Sequence, residues 1–267
     1  LVIDTHAHLD DEAFDSDREA CLRRAREAGV SAMVVPAVSP ERWERTLSVA
    51  RLPGVYAALG VHPHALARVT DDEIRAALDR VSALAKASEG RVVAIGEVGF
   101  DRTIGTIERE RASDARQAEV FAWHAEVAVA LGLPLIVHVL RAHDCALASL
   151  SRVRLPSPAG VIHSYSGSAE LVKAYERLGF YVSFAGGVTR PNARRVAEAA
   201  RAVSSERLLL ETDAPDQCPT GAGEGVVRSE PAMIGVIASA VARARGESEE
   251  WVREVSESNA RRVFGLR

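Results

Sequence analysis

Eight short apolar runs recur along this chain with room for a helix between successive runs, and that alternation limits the fold more than any other feature. The runs are LVIDTHAHL (1–9), SAMVVPAV (31–38), VYAALGVHP (55–63), VVAIGEVGF (92–100), LPLIVHVL (133–140), AGVIHSYS (159–166), FYVSFAGGV (180–188) and RLLLETDAP (207–215). Each is a few residues long and rich in Val, Ile or Leu, the pattern of strands buried on both faces. Between them lie segments with helix punctuation. Residues 18–28 stop at Gly29, and residues 40–51 follow Ser39, an expected N-cap, with Pro40 at the first helical position. Residues 71–88 start after Thr70, residues 112–131 end at Gly132, and shorter helices are predicted over 142–150, 169–178 and 192–203. Two more, 230–245 and 247–264, follow the last run.

Strands alternating with helices predict a parallel sheet, and 267 residues suit one closed (β/α)8 TIM barrel. An open doubly wound sheet is the rival. No low-complexity run or long linker divides the chain, so residues 1–267 read as one domain; the Gly-rich stretch 218–227 reads as a mobile loop. The longest apolar stretch, 120–140, contains His124, Glu126, Pro134 and His138, which a bilayer span tolerates poorly, so no membrane association is expected. No charged-then-apolar leader precedes the first run. Cys21, Cys145 and Cys218 are odd in number, far apart and without a CxxC pair, which points to a reduced, cytoplasmic chain. A net charge of −4 supplies no global attraction for nucleic acid, although bound cations or a local arginine patch could supply a local one.

Chemistry collects at one place. Six of the eight histidines (His6, His8, His62, His64, His138 and His163) sit toward the C-terminal end of a run or just after it, as do Glu97, Asp101, Glu211 and Asp213. In a β/α barrel those ends converge on one face, where active sites are built. One such histidine alone is more simply a hydrogen-bonded core residue; six together with several acids are not. His6 and His8, two apart, point to the same side of a strand and form a natural metal grip. Asp4 shares their parity, and either orients one ring or makes a buried structural hydrogen bond. His62 and His64 repeat the two-residue spacing across Pro63 and read as ligands, as contacts to an anionic substrate, or as a loop anchor. Glu97, between Gly96 and Gly99, has two oxygens with which to bridge two cations, and the small neighbours allow close backbone approach. His138 and His163 would each contribute one nitrogen. Asp213 is costly to bury unless paired or metal-bound. Glu211 reads as a carboxylate supporting the ligands or as a proton acceptor from a metal-bound water. Asp101 could orient a loop or a ligand and receives no firm role.

DTHAHLD, GVHPH, GEVGFD, the histidine of the fifth run, HSYSGS, ETDAP and NARRVFG, in that order from residue 1 to about residue 265, resemble the TatD family of metal-dependent hydrolases. Each motif is weak alone; seven in order are specific. The resemblance implies a TIM barrel of the amidohydrolase-like group, magnesium-dependent deoxyribonuclease activity, and in some members 3′-to-5′ exonuclease action. It implies His6, His8 and Asp213 on one metal, His138 and His163 on a second, Glu97 shared, Glu211 near the metal water, and His64 at a substrate phosphate. Two positions depart from the pattern. Leu140 stands where an arginine is usual, so either Arg141 takes over that contact or the phosphate grip differs. Asp216 stands where an aromatic residue is common and places a negative charge near the phosphate site.

The reaction this reading predicts is hydrolysis by a water activated between two divalent cations (Mg, Mn or Zn), with Asp213 or Glu211 handling the proton. The substrate is expected to be DNA or another phosphodiester, cut without sequence preference, since no sequence-reading module is apparent. No obligate protein partner is evident. One alternative is a carboxylic ester or amide, such as an aminoacyl ester, at the same centre; another is a non-catalytic metal-binding scaffold. Arginines at 141, 190, 194, 195 and 228 favour an anionic substrate, although each alone reads as solvated surface. Tyr165, Phe184 and Phe100 could stack a base but are better placed for barrel packing.

Overall fold

The computed structural model describes residues 1–105, 108, 110–223 and 225–266. Its strands are β1 (Val2–Asp4), β2 (Val30–Pro36), β3 (Val55–Leu59), β4 (Val92–Asp101), β5 (Leu135–Leu140), β6 (Gly160–Ile162), β7 (Phe180–Phe184) and β8 (Leu208–Leu210). They pair in that order, all parallel, from β1 to β8. The circle is drawn together by Thr5 N–H donating to the Leu210 carbonyl (3.2 Å) and Asp213 N–H to the His6 carbonyl (2.8 Å). Helices α1 (Arg18–Glu27), α2 (Trp43–Val49), α3 (Asp71–Ala87), α4 (Asp114–Leu131), α5 (His143–Leu150), α6 (Ala169–Arg177), α7 (Arg194–Ala202), α8 (Ile234–Arg245) and α9 (Glu249–Phe264) alternate with the strands or follow them. This is the predicted (β/α)8 barrel rather than the open sheet.

Two layers of apolar side chains account for it. Ile3, Val34, Ala58, Ala94, Ile136, Val161, Tyr181 and Leu209, one from each strand, fill the barrel together with Ala260, Val263 and Phe264 of α9. The opposite faces of the same strands, from Val2 to Leu210, pack under the helices in one continuous cluster. Burial on both sides is why the strands read as unbroken apolar runs rather than alternating ones.

Local signals behave as their chemistry dictates, with some exceptions. Thr70 caps α3 through a full capping box with Glu73. Gly132 takes a left-handed φ of 65° that ends α4 and turns the chain into β5. Ser39 does not cap as expected: a 3-10 turn at Pro40–Arg42 precedes α2, and the Ser39 hydroxyl makes no capping bond. β1, β6 and β8 have only three residues each, so His6, His8, His163, Glu211 and Asp213 lie on the connections after the strands rather than on them. The Gly-rich stretch 218–227 follows β8 as turns and irregular backbone, and Glu224 within it lies outside the described residues. Among the described residues no helix is long and apolar enough to cross a membrane.

Candidate metal centre

The connections leaving β1, β3, β6 and β8 meet the ends of β4 and β5 around one carboxylate, Glu97, of which only 2% is exposed. Its two oxygens face different partners. Oε2 lies 3.2 Å from His6 Nε2 and 3.6 Å from His8 Nε2. Oε1 lies 2.7 Å from His163 Nε2, 3.1 Å from His138 Nδ1 and 3.4 Å from His62 Nε2. Asp213 Oδ1 joins the first group, 3.5 Å from His6 Nε2 and 3.6 Å from His8 Nε2. The two groups are closed by contacts of 3.2 Å between His6 Nε2 and His8 Nε2 and 3.0 Å between His138 Nδ1 and His163 Nε2.

Backbone geometry makes this crowding possible. A Cβ on Gly99 would fall 2.0 Å from the His138 carbonyl oxygen, so β4 can lie this close to β5 only with glycine there. One β-carbon on Gly60 would likewise lie 2.4 Å from the Gly96 carbonyl carbon, beneath Glu97.

Hydrogen bonds on the far side of three of the rings, those of His8, His138 and His62, decide which nitrogen faces the centre. His8 Nδ1 sits 3.1 Å from the Pro36 carbonyl, which can only accept, so the His8 proton is on Nδ1 and Nε2 presents a lone pair. His138 Nε2 is 3.0 Å from Asp101 Oδ2, which by the same argument frees Nδ1. Asp101 also accepts from His64 Nε2 (2.9 Å) and from the backbone and hydroxyl of Thr103 (2.6 Å each). His62 is reversed. Its Nδ1 accepts from His64 N–H at 3.1 Å, so the neutral ring carries its proton on Nε2 and donates toward Glu97. His6 and His163 stack with ring centroids 4.0 Å apart, and His163 Nδ1 lies 3.4 Å from Glu211 Oε1.

Electrostatics follow from this packing. Burial alone would raise Glu97, but His163, His62 and His6, with the His138 hydrogen bond, hold it well below the usual carboxylate range. His163 is opposed by burial yet held well above its ordinary value by Glu97 and Glu211. Burial depresses His6 and takes His62 down to about 4.

His8 Nε2 and His138 Nδ1, left as acceptors by their outer hydrogen bonds, face other nitrogens and carboxylate oxygens, an arrangement that is unfavourable unless a proton or a metal cation lies between them. Neighbouring ligand atoms around a four- to six-coordinate divalent cation with bonds of about 2.1 Å stand roughly 3.0–3.4 Å apart. The contacts among His6, His8, Glu97 and Asp213 (3.2–3.6 Å) and among Glu97, His138 and His163 (2.7–3.1 Å) bracket that spacing. Imidazole and carboxylate donors in this mix fit a divalent metal.

Two open lobes meet at the centre. One, of about 700 Å³, is bordered by His8, His62, His64, Asp101, Asp213 and Asp216, with Arg42 and Arg68 at its edge. The other, of about 560 Å³, is bordered by Tyr165, Val188, Val196, Arg190, Asn192 and Gln217. Glu97, His138, His163 and Asp213 border the first lobe, and the last three of these also border the second.

The structure thus brings His6, His8, Glu97, His138, His163 and Asp213 together, with His62 beside them. Of the other predicted residues, Glu211 meets His6 and His163 from behind and His64 stands beside His62, whereas Arg141 is not part of the group. Glu211 is fully buried behind His163, where its oxygens accept from Ser164 N–H and the Thr5 hydroxyl, and it borders neither lobe. His64 lines the first lobe but turns its Nε2 to Asp101. Arg141 is exposed, left-handed at φ 54° and absent from both lobes, whereas Leu140 borders both. Asp4 orients no ring: it accepts from Thr212 N–H and hydroxyl and from His6 N–H, and burial pushes it up to about 7. Phe100 and Phe184 are fully buried core residues, and Tyr165, which borders the second lobe, is only 2% exposed and tied to the Ser168 carbonyl. Arg228 is bound to Asp17 and Glu230, and Arg194 to Glu198; only Arg190 of the five arginines reaches a lobe.

Asp101, expected at the end of its run as a residue that orients a loop or a ligand, does hold His138 through Nε2. Sequence reasoning missed two supports, His124 and Gln217. His124 fixes the loop after β3 by accepting from Val61 N–H (3.1 Å) while its Nδ1–H donates to the Val120 carbonyl (2.8 Å). Gln217, next to Asp216, carried no signal.

The chain matches the family model of TatD-related DNases over residues 3–265. It is 36% identical over 218 residues to the uncharacterized metal-dependent hydrolase YjjV of Escherichia coli, covering 80% of this chain and 79% of that protein. It is 34% identical to the 3'-5' ssDNA/RNA exonuclease TatD of Cronobacter sakazakii, covering 98% and 97%. The crystal structure of the Escherichia coli YjjV protein superposes with a TM-score of 0.88 at 31% identity, covering 100% of this chain and 98% of that one.

Proposed function

The chain belongs to the TatD-related DNase family, a family of metal-dependent hydrolases, and on that premise we propose that it cleaves phosphodiester bonds of single-stranded nucleic acid from the 3′ end. The observation that carries the reading is the division of Glu97: each oxygen meets its own set of imidazole nitrogens. His6, His8 and Asp213 would hold one divalent cation with Oε2, and His138 and His163 a second with Oε1. Bound there, such cations polarise a phosphoryl group and lower the pKa of water.

The rest falls to the protein. The Pro36 carbonyl and Asp101 hold His8 and His138 in the tautomer and ring orientation of metal ligands. Asp213, which borders both lobes, is placed to accept a proton from the attacking water. Glu211, shut away from both lobes, orients His163 instead. His62, protonated on Nε2, donates toward the centre and suits a phosphoryl oxygen rather than a metal. Arg190 at the mouth of the second lobe offers a phosphate contact in place of Arg141, and the Val188–Val196 wall accommodates a base without stacking.

The test is cleavage of a short single-stranded DNA and of a simple phosphodiester by protein stripped of metal and refilled separately with magnesium, manganese or zinc. Activity should require metal and be lost in Glu97→Ala. Failure of the folded, metal-loaded protein to cleave either substrate would overturn the phosphodiester reading and direct attention to carboxylic esters.

A further inference from the structure

Asp213 must present one oxygen to His6 and His8, and the structure shows what turns it. Gln217 Nε2 donates to Asp213 Oδ2 at 2.6 Å and to the Ser164 hydroxyl, while its Oε1 accepts from Gly187 N–H at 3.3 Å. The orientation of that amide is fixed by its partners: a backbone N–H can only donate and a carboxylate can only accept, so the oxygen must face Gly187 and the nitrogen Asp213. One side chain therefore ties together the connections after β6, β7 and β8.

The backbone is bent to this end. Asp213 (φ 56°), Gln217 (φ 49°) and Ser164 (φ 43°) all adopt the left-handed region that non-glycine residues avoid. At Gly186 a β-carbon would fall 1.7 Å from the Gln217 carbonyl oxygen, so the connections after β7 and β8 approach as closely as glycine permits.

We propose that Gln217 is a positioning residue that commits Asp213 Oδ2 to a hydrogen bond and thereby aims Oδ1 at the cation site formed with His6 and His8. This rests on the reading of Asp213 as a metal ligand. Without the amide, Asp213 is free to rotate and metal binding weakens, while the barrel, whose core Gln217 does not enter, stays folded.

The test is calorimetric titration of manganese into the full-length, chelator-stripped protein, with the thermal midpoint of the same metal-free samples recorded alongside. Gln217→Met should weaken manganese binding by about 10- to 100-fold, the range for residues that orient ligands, with the metal-free midpoint unchanged. The double variant Asp213→Asn/Gln217→Met should bind no more weakly than Asp213→Asn alone, because Gln217 acts through Asp213. Should Gln217→Met fail to fold, Gln217→Asn keeps an amide in the loop but is one carbon too short to reach Oδ2, and carries the same expectation. Wild-type affinity in a folded Gln217 variant that coexists with weakened binding in Asp213→Asn would overturn the positioning role alone. Unchanged affinity in Asp213→Asn would overturn the ligand reading, and the proposal with it.

Discussion

Replacing His124 with glutamine should flatten the acid sensitivity of the fold. His124 is fully buried, far from solvent in α4, with both ring nitrogens engaged. Burial, only partly offset by its hydrogen bond to the Val120 carbonyl, lowers its pKa from the ordinary 6.5 to about 4. The sign follows from linkage. Above pH 6.5 the ring is neutral in folded and unfolded chains alike, and its stabilising contribution is complete. Below 6.5 the unfolded chain binds a proton that the folded chain refuses, so stability is lost progressively until the pH reaches about 4. A shift of that size corresponds to about 3 kcal/mol. Glutamine cannot titrate, and its amide oxygen can take over the acceptor role toward Val61 N–H. Urea unfolding of chelator-treated wild type and His124→Gln, followed by circular dichroism from pH 7.5 to 4.5, isolates the effect, because every other titrating group is common to both proteins. The wild-type advantage should shrink steadily as the pH falls and approach its limit near pH 4. A gap between the two proteins that does not change with pH would refute the reasoning. His124→Leu provides the control for the hydrogen bond: it leaves Val61 N–H buried without an acceptor and, relative to His124→Gln, should cost about 1–3 kcal/mol at every pH.

Three further perturbations probe the centre from different sides. Asp101→Asn removes the carboxylate that holds the His138 proton on Nε2; zinc or manganese affinity, measured against a competing chelator, should fall about 10- to 100-fold with little change in thermal midpoint. Gly99→Ala drives a methyl group into the His138 carbonyl, and the variant should either fail to accumulate as folded protein or lose metal binding and several degrees of thermal midpoint, read by scanning calorimetry. Asp216→Asn removes a negative charge from the wall of the larger lobe, where burial and the neighbouring Asp213 already raise its pKa; KM for a phosphodiester should drop a few-fold, more at low salt than at high, with kcat little changed.

What could be read from the chain and what could not divide along a physical line. The barrel was legible because its strands are buried on both faces, which leaves an unmistakable run of branched apolar residues in each, and because residues such as Thr70 and Gly132 mark helix ends by local chemistry that needs no tertiary partner. The convergence of His6, His8, Glu97, His138, His163 and Asp213 was legible for a related reason: once the strands are parallel, topology alone carries the ends of all of them to one face. The parity argument for His6 and His8 was less secure, since both lie past the end of β1, and what brings their Nε2 atoms together is hydrogen bonding of the loop, Ala7 N–H to Val34 and His8 N–H to Ala214, rather than the pleat. Beyond the ligands, legibility fails. Whether a histidine offers a lone pair or a proton depends on its other nitrogen, and those partners lie in distant or irregular segments: Pro36 for His8, Asp101 for His138, the backbone of His64 for His62. Spacing made His62 and His64 look like a second copy of the His6–His8 pair, yet the hydrogen bond between them turns the one into a donor and leaves the other to brace Asp101. The same spacing therefore produces opposite chemistry in two loops of one barrel. The difference is carried by single backbone groups, which look alike at every position of a sequence.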